Sequence, residues 1–189
     1  MIEKPISSSR RSILAGTAGT LSAAGLLALL DRPARAAAGN PAQDAQLLNA
    51  AVALEDEGIA AYQIGAESKL LSPDVLKVAV TFQGHHKQHR DDLLAAIKRL
   101  GGTGAQPKTQ AQYATELGTA SLKDQNGVLR LALKLERGAT NAYLGLITSL
   151  DQPDLSLLVA RNAADESFHA AVLGHVLGEP IPTKAPMFG

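Results

Sequence analysis

"LEDEGIAAY", Leu54 to Tyr62, and "LERGATNAY", Leu135 to Tyr143, are two copies of one pattern set 81 residues apart. Each places a glutamate seven residues ahead of a tyrosine, two turns along one helical face. A shift of 80 lays His89 on His169, Leu93 on Leu173 and His86 on Glu166. The chain thus reads as two versions of a helical hairpin. The first holds Glu55 … His86-Lys-Gln-His89 and the second Glu136 … Glu166-Ser-Phe-His169.

Periodicity and breakers give the hairpins their helices. Leu47, Leu48, Ala51, Leu54, Ile59 and Tyr62 recur near period 3.6, predicting a helix from Ala42 to Leu71. Ser72-Pro73 then ends it and starts the next, with serine as N-cap and proline at the first helical position. That second helix carries Val80, Phe82, Leu93 and Ile97 and stops at Leu100-Gly101-Gly102. Residues 101–120 are rich in Gly, Thr and Gln, show no period, and read as a crossover. Ser121 is the expected cap of a third helix, with Asp124 in the capping-box position. This helix runs to Leu150, and Gln152-Pro153 turns the chain into a fourth that ends at Gly178. Two short turns and one long link predict two antiparallel hairpins joined by a long crossover, an all-α four-helix bundle over residues 39–178. Residues 179–189, "EPIPTKAPMFG", form a proline-rich tail.

The 189 residues suit a single domain with appendages. Eighteen basic residues balance 18 acidic ones, so nothing argues for a nucleic-acid partner. The balance is uneven. Residues 1–38 hold Lys4, Arg10, Arg11, Arg32 and Arg35 against Glu3 and Asp31, which leaves 13 basic and 16 acidic groups in the body. The absence of cysteine excludes disulfides, thiol catalysis and cysteine-ligated metal sites.

The first 38 residues read as an address. A basic segment ends in Arg10-Arg11, an apolar run follows from Ile13 to Leu30, and Ala34-Arg35-Ala36 offers a small-residue cleavage site. Ser9-Arg10-Arg11-Ser12-Ile13-Leu14 resembles a twin-arginine signal. That resemblance implies export of an already folded protein to the periplasm, with the twin-arginine machinery as a partner and membrane contact only through this segment. The alternative is a membrane anchor, since the run is nearly long enough to span a bilayer.

The spacing in the hairpins is that of metal ligands. Residues three apart share a helical face, so a carboxylate and an imidazole there can hold one ion while facing helices supply the rest. Three inward glutamates make sense around a cation, because a buried carboxylate is costly unless something neutralises it. His85 with His89, four apart, is a second possible chelating pair in place of His86 with His89.

On these residues the chain resembles the ferritin-like di-metal carboxylate proteins, and within them the bacterial exported group with a twin-arginine signal. Their pattern is a Glu from each of two helices plus Glu-x-x-His from each of the other two. The resemblance implies that Glu55 and Glu136 are the single glutamates, that Glu166 and His169 are an intact motif, and that His89 is the other histidine. His86 stands where the family has a glutamate. It implies a core site for one or two transition-metal ions, iron first, and oxidoreductase chemistry toward dioxygen or peroxide. A neutral imidazole does not bridge two ions as a carboxylate does. Three imidazoles with three carboxylates therefore also suit manganese, copper or zinc, or a single ion. A homodimer is an open alternative for the assembly, and nothing argues for a 24-subunit storage shell. The alternative is a non-catalytic bundle for envelope stress or protein–protein contact, its site degenerate.

The other polar residues have plainer readings. Asp56, Glu57 and Glu67 read as charge on an outer face. Tyr62 and Tyr143 read as core aromatics whose hydroxyls reach neighbouring polar groups, ligand carboxylates among them. Asp92 lies close enough to His89 to orient it but reads as exposed, and His175, six residues past His169, falls on the opposite face. The glycines at 58, 65, 84, 138, 145 and 174 weaken their helices, for close helix approach or a local bulge.

Overall fold

A computed structural model describes residues 39–188, so the twin-arginine reading of residues 1–38 lies outside the described residues. Four long helices make the bundle: α1 (Pro41–Glu67), α2 (Pro73–Arg99), α4 (Gln125–Ile147) and α5 (Pro153–Val176). Between α2 and α4 lie the short α3 (Gln110–Glu116) and a 3₁₀ turn (Thr119–Ser121). No strand occurs among the described residues, and no helix there is long and apolar enough to cross a membrane.

Helix α1 packs along α2 and α4 along α5, giving the two hairpins, with α1 against α4 and α2 against α5 closing the bundle. The start of α1 meets the end of α4, where the Asp151 amide donates to Asp44 Oδ1 at 3.1 Å. At the other end the Ser72 amide donates to Gln125 Oε1 at 2.8 Å. The crossover therefore travels the length of the bundle, and it does so along α1. Asn49 pins its beginning, donating to the Thr103 carbonyl and accepting from the Ala105 amide, and Gln110 donates to Glu67 further on.

Part of the crossover has its own structure. Thr109 and Gln112 form a reciprocal capping box that starts α3, which lodges Tyr113 in the interior. The N-terminus of α4 differs from the expectation. Ser121 closes the 3₁₀ turn, and Asp124 is the cap, accepting from the Gly127 amide at 2.8 Å. The aspartate, one residue before the helix, reaches the exposed amide donors, and the serine is three residues too early. Ser72 does sit at the N-cap of α2 with extended backbone, but Pro73 sets that start without a side-chain cap bond.

The core has three storeys. An apolar cluster around Leu48, Leu93, Leu146 and Val159 fills one end. A second, around Phe82, Leu129, Leu133 and Leu173, fills the other, and Phe188 of the tail packs on it. Between them lies a polar layer.

Candidate metal centre

That layer consists of Glu55 on α1, His86 and His89 on α2, Glu136 on α4, and Glu166 and His169 on α5. All six are buried, the three glutamates at 1% exposure or less. Their helices dictate the meeting. Glu55 and Glu136 occupy equal heights on the two helices that lead the hairpins, and the i, i+3 pairs of α2 and α5 face them.

The two i, i+3 pairs link the hairpins through both ends of one side chain. Glu166 accepts from His89 Nδ1 through Oε1 at 2.9 Å and from His169 Nδ1 through Oε2 at 3.0 Å. The His86 ring lies between the single glutamates, Nδ1 2.7 Å from Glu55 Oε2 and Nε2 3.2 Å from Glu136 Oε1. Two overlapping donor groups result: Glu55, His86, His89 and Glu166, and His86, Glu136, Glu166 and His169. Within each, the donor atoms lie within 4.8 Å of one another.

Both tyrosines serve the cluster. Tyr62 donates to Glu136 and Tyr143 to Glu55, so each tyrosine of the repeat reaches the glutamate of the other copy. Burial and these carboxylates push both phenols well above their usual range, so they stay protonated as donors. Buried Asn162, which carried no signal in the sequence, donates to the Tyr143 oxygen at 3.2 Å.

Asp165 carried no reading in the sequence, and His85 takes a place other than the chelating one open to it there. Asp165, with a largely exposed side chain, meets His89 Nε2 at 3.1 Å. His85 meets His169 Nε2 at 2.9 Å, so it is His86 that enters the cluster and His85 that backs another histidine from outside. The same shift of 80 lays His85 on Asp165. Each hairpin therefore uses the position before its inward residue, His86 or Glu166, to hold the outer nitrogen of the partner hairpin's histidine. The repeat was the signal that could have found them. A carboxylate on the far nitrogen fixes the tautomer that presents the near one to an ion.

Without a cation the cluster neutralises itself. Burial alone would raise Glu55, but His86 and His89 beside it bring it down to about 2. Glu136 is likewise held well below the usual range, burial being outweighed by His169 and His86. Burial works against charge on the imidazoles too, yet their carboxylate partners raise all three histidines of the layer, His89 to about 10. Glu166 is the exception, its carboxyl raised by burial in spite of His86. Within the layer, Glu136 Oε2 makes no hydrogen bond, His169 Nδ1 lying 3.4 Å away.

Residues 43–179 match the model of the ferritin-like domain. This chain belongs to the ferritin-like family. Its fold is also that of a conserved hypothetical protein from Mycobacterium tuberculosis, whose crystal structure aligns with TM-score 0.64 and 24% identity over 77% of this chain and 98% of that one. No curated protein matches the sequence.

For a ferritin-like protein the layer fits a cation. It offers carboxylate and imidazole donors from four helices, a carboxylate oxygen that makes no hydrogen bond and apolar packing on both sides. The departure at His86 is accommodated locally. A Cβ at Gly58 would stand 3.1 Å from His86 Cε1 and Nδ1, so glycine makes room for the ring. Close approach, not a bulge, explains this glycine.

Asp56 overturns its reading as outer-face charge. It is buried at 5% exposure, with an Arg90 nitrogen 3.9 Å away, and desolvation raises its carboxyl to about 6. The crossover covers the face of α1 that a bare helix would expose to water. Glu57 is half-buried for the same reason, and Glu67 is exposed as expected. Asp92 is exposed and accepts from Gln88, and His175 is exposed, away from the cluster.

Proposed function

We propose that this ferritin-like protein is exported, holds one or two transition-metal ions through Glu55, His86, His89, Glu136, Glu166 and His169, and acts as an oxidoreductase toward dioxygen or peroxide. The observation that carries the reading is the convergence of three fully buried carboxylates and three imidazoles in two overlapping groups of four donors. A redox-active ion held there supplies electron transfer that none of these side chains provides.

The protein's own groups have distinct tasks. Glu166 has an oxygen for each group, so it is the common ligand. His86, when neutral, has one bare nitrogen and serves only one group at a time. Two ions would therefore have unlike surroundings, and a single ion would take the group that His86 joins. Tyr62 and Tyr143 hold Glu136 and Glu55 by donating to them. Asp165 keeps His89 Nδ1 directed inward, and the apolar storeys exclude water. Iron follows from the resemblance to the family, while the donor set also suits manganese, copper or zinc. Export rests on Ser9-Arg10-Arg11-Ser12-Ile13-Leu14 and the apolar run after it, with the twin-arginine machinery as partner and the periplasm as destination.

A second reading has its own support. The contacts of His86 with Glu55 and Glu136 supply an internal counter-charge, so the bundle can close with no metal, as a non-catalytic protein would. Metal content per chain, measured by plasma mass spectrometry on untagged protein from the envelope of its native cell, decides between them. One or two metal ions per chain, lost in Glu166→Ala, is the expected result. A content at background would leave the non-catalytic bundle.

A further inference from the structure

The apolar storey around Phe82 holds a partly open cavity of about 40 Å³, with half-exposed Val176 in its wall. A buried water needs about 10–15 Å³ of such room and two to four polar partners. The room suffices for more than one water, but the partners are missing. Val75, Ala79, Leu129, Ala132 and Leu173 wall the space, and its two hydroxyls are committed elsewhere, Tyr62 donating to Glu136 and Thr119 to the Ala114 carbonyl. Apolar cavities of this kind stay dry and admit apolar guests, benzene entering one of about 150 Å³. A void about a quarter of that size admits a diatomic molecule and excludes a ring.

Its position gives the cavity a purpose. Phe82 and Tyr62 line it, and the same two rings touch the polar layer. Phe82 stacks on His169 with centroids 4.0 Å apart, and Tyr62 holds Glu136. One aromatic side chain thus separates the void from His169 and one from Glu136. The rings meet edge to face, 6.2 Å between centroids.

We propose that this cavity binds dioxygen-sized apolar molecules and delivers them to the centre past Tyr62 and Phe82. The delivery rests on the metal-centre reading above. The binding does not.

Methyl relaxation in the full-length, metal-free protein under dioxygen pressure tests the binding. Dissolved dioxygen is paramagnetic and relaxes the methyls it visits. Methyls of Leu129 and Leu173 are expected to gain relaxation several-fold more than those of Leu48 and Val159, also buried, in the other apolar storey. An equal gain in both storeys overturns the binding site. Ala132→Leu, which extends a side chain into the void, is expected to abolish the excess, with Ala132→Val as the milder filler should the larger one impair folding. An excess that survives a filler in folded protein overturns the assignment. Delivery is read in ferrous-loaded protein by stopped-flow with nitric oxide, an apolar diatomic ligand of ferrous iron. Association is expected to slow several-fold in Ala132→Leu, and an unchanged rate overturns delivery. A chain that takes up no iron overturns the metal-centre reading, and delivery with it, while the relaxation result still judges the cavity.

Discussion

The second hairpin holds Glu166 where the first holds His86, and both side chains do the same geometric job. Each spans the bundle, Glu166 between His89 and His169, His86 between Glu55 and Glu136. Their electrostatics are opposite. A carboxylate adds negative charge to a buried layer already rich in it, whereas an imidazole can take a proton and become the counter-charge. The symmetric frame of the repeat therefore carries an asymmetric centre, able to close around protons when it has no metal. Gly58 is the local adjustment that admits the larger ring; the repeat has Ala139 at that height in the second hairpin.

Restoring the symmetry should produce the largest effect. His86→Glu replaces the bridging imidazole by a fourth buried carboxylate, and breaking a buried pair costs about 3–5 kcal/mol. The metal-free variant should lose stability of that order in a denaturant titration and recover it when a divalent ion is added. Equal stability of variant and parent without metal would remove the counter-charge role of His86.

The two tyrosines differ in a smaller way. Tyr143→Phe deletes the donor to Glu55 and also leaves the Asn162 amide without its acceptor, whereas Tyr62→Phe deletes a single bond. A hydrogen bond to a charged group is worth about 1.5–3 kcal/mol, so Tyr143→Phe should reach the top of that range and Tyr62→Phe the bottom. Denaturation midpoints that fall in the reverse order contradict the assigned contacts.

Proton release comes next in size. The raised imidazoles stabilise the metal-free fold fully below their ordinary value of 6.5, and the contribution of His89 fades as pH climbs through about 10. Glu55 contributes fully above its ordinary 4.5 and loses its contribution as pH falls toward about 2. Both contributions are therefore present in mildly acid solution, and metal must displace imidazolium protons to bind. Affinity should rise with pH, about tenfold per unit for each proton released. Calorimetry in buffers of different ionisation enthalpy counts those protons, and a count of zero would contradict the raised imidazoles.

Gly58→Ala should alter stability least. The helix gains up to about 1 kcal/mol in propensity, offset by the contact its new methyl makes with His86. The sensitive readout is the imidazole itself: the His86 ring resonances should shift and metal affinity should fall. Unchanged resonances would mean the ring has more freedom than the 3.1 Å approach suggests.

The hairpins were legible because each level of the sequence said the same thing: period 3.6, Pro73 and Pro153 at helix starts, and one long link between two short ones. The six inward residues were legible because three-residue spacing and the repeat fix faces and heights. Asp56 was not, since its burial comes from the crossover lying along α1, which no local pattern in α1 reveals. Thr109 and Gln112 did carry a capping box for α3, masked by the surrounding Gly, Thr and Gln. Asp165 and His85 are polar residues at the surface whose role exists only through the outer nitrogen of a histidine on another helix.

Anomalous diffraction at the absorption edge of the copurified metal, from crystals of the full chain, tests the central claim most directly. The expected result is a peak inside the bundle, bonded to Glu166 and to residues of one or both donor groups. A peak confined to the surface, on His85 or His175, or no peak in protein that retains its fold, would contradict it.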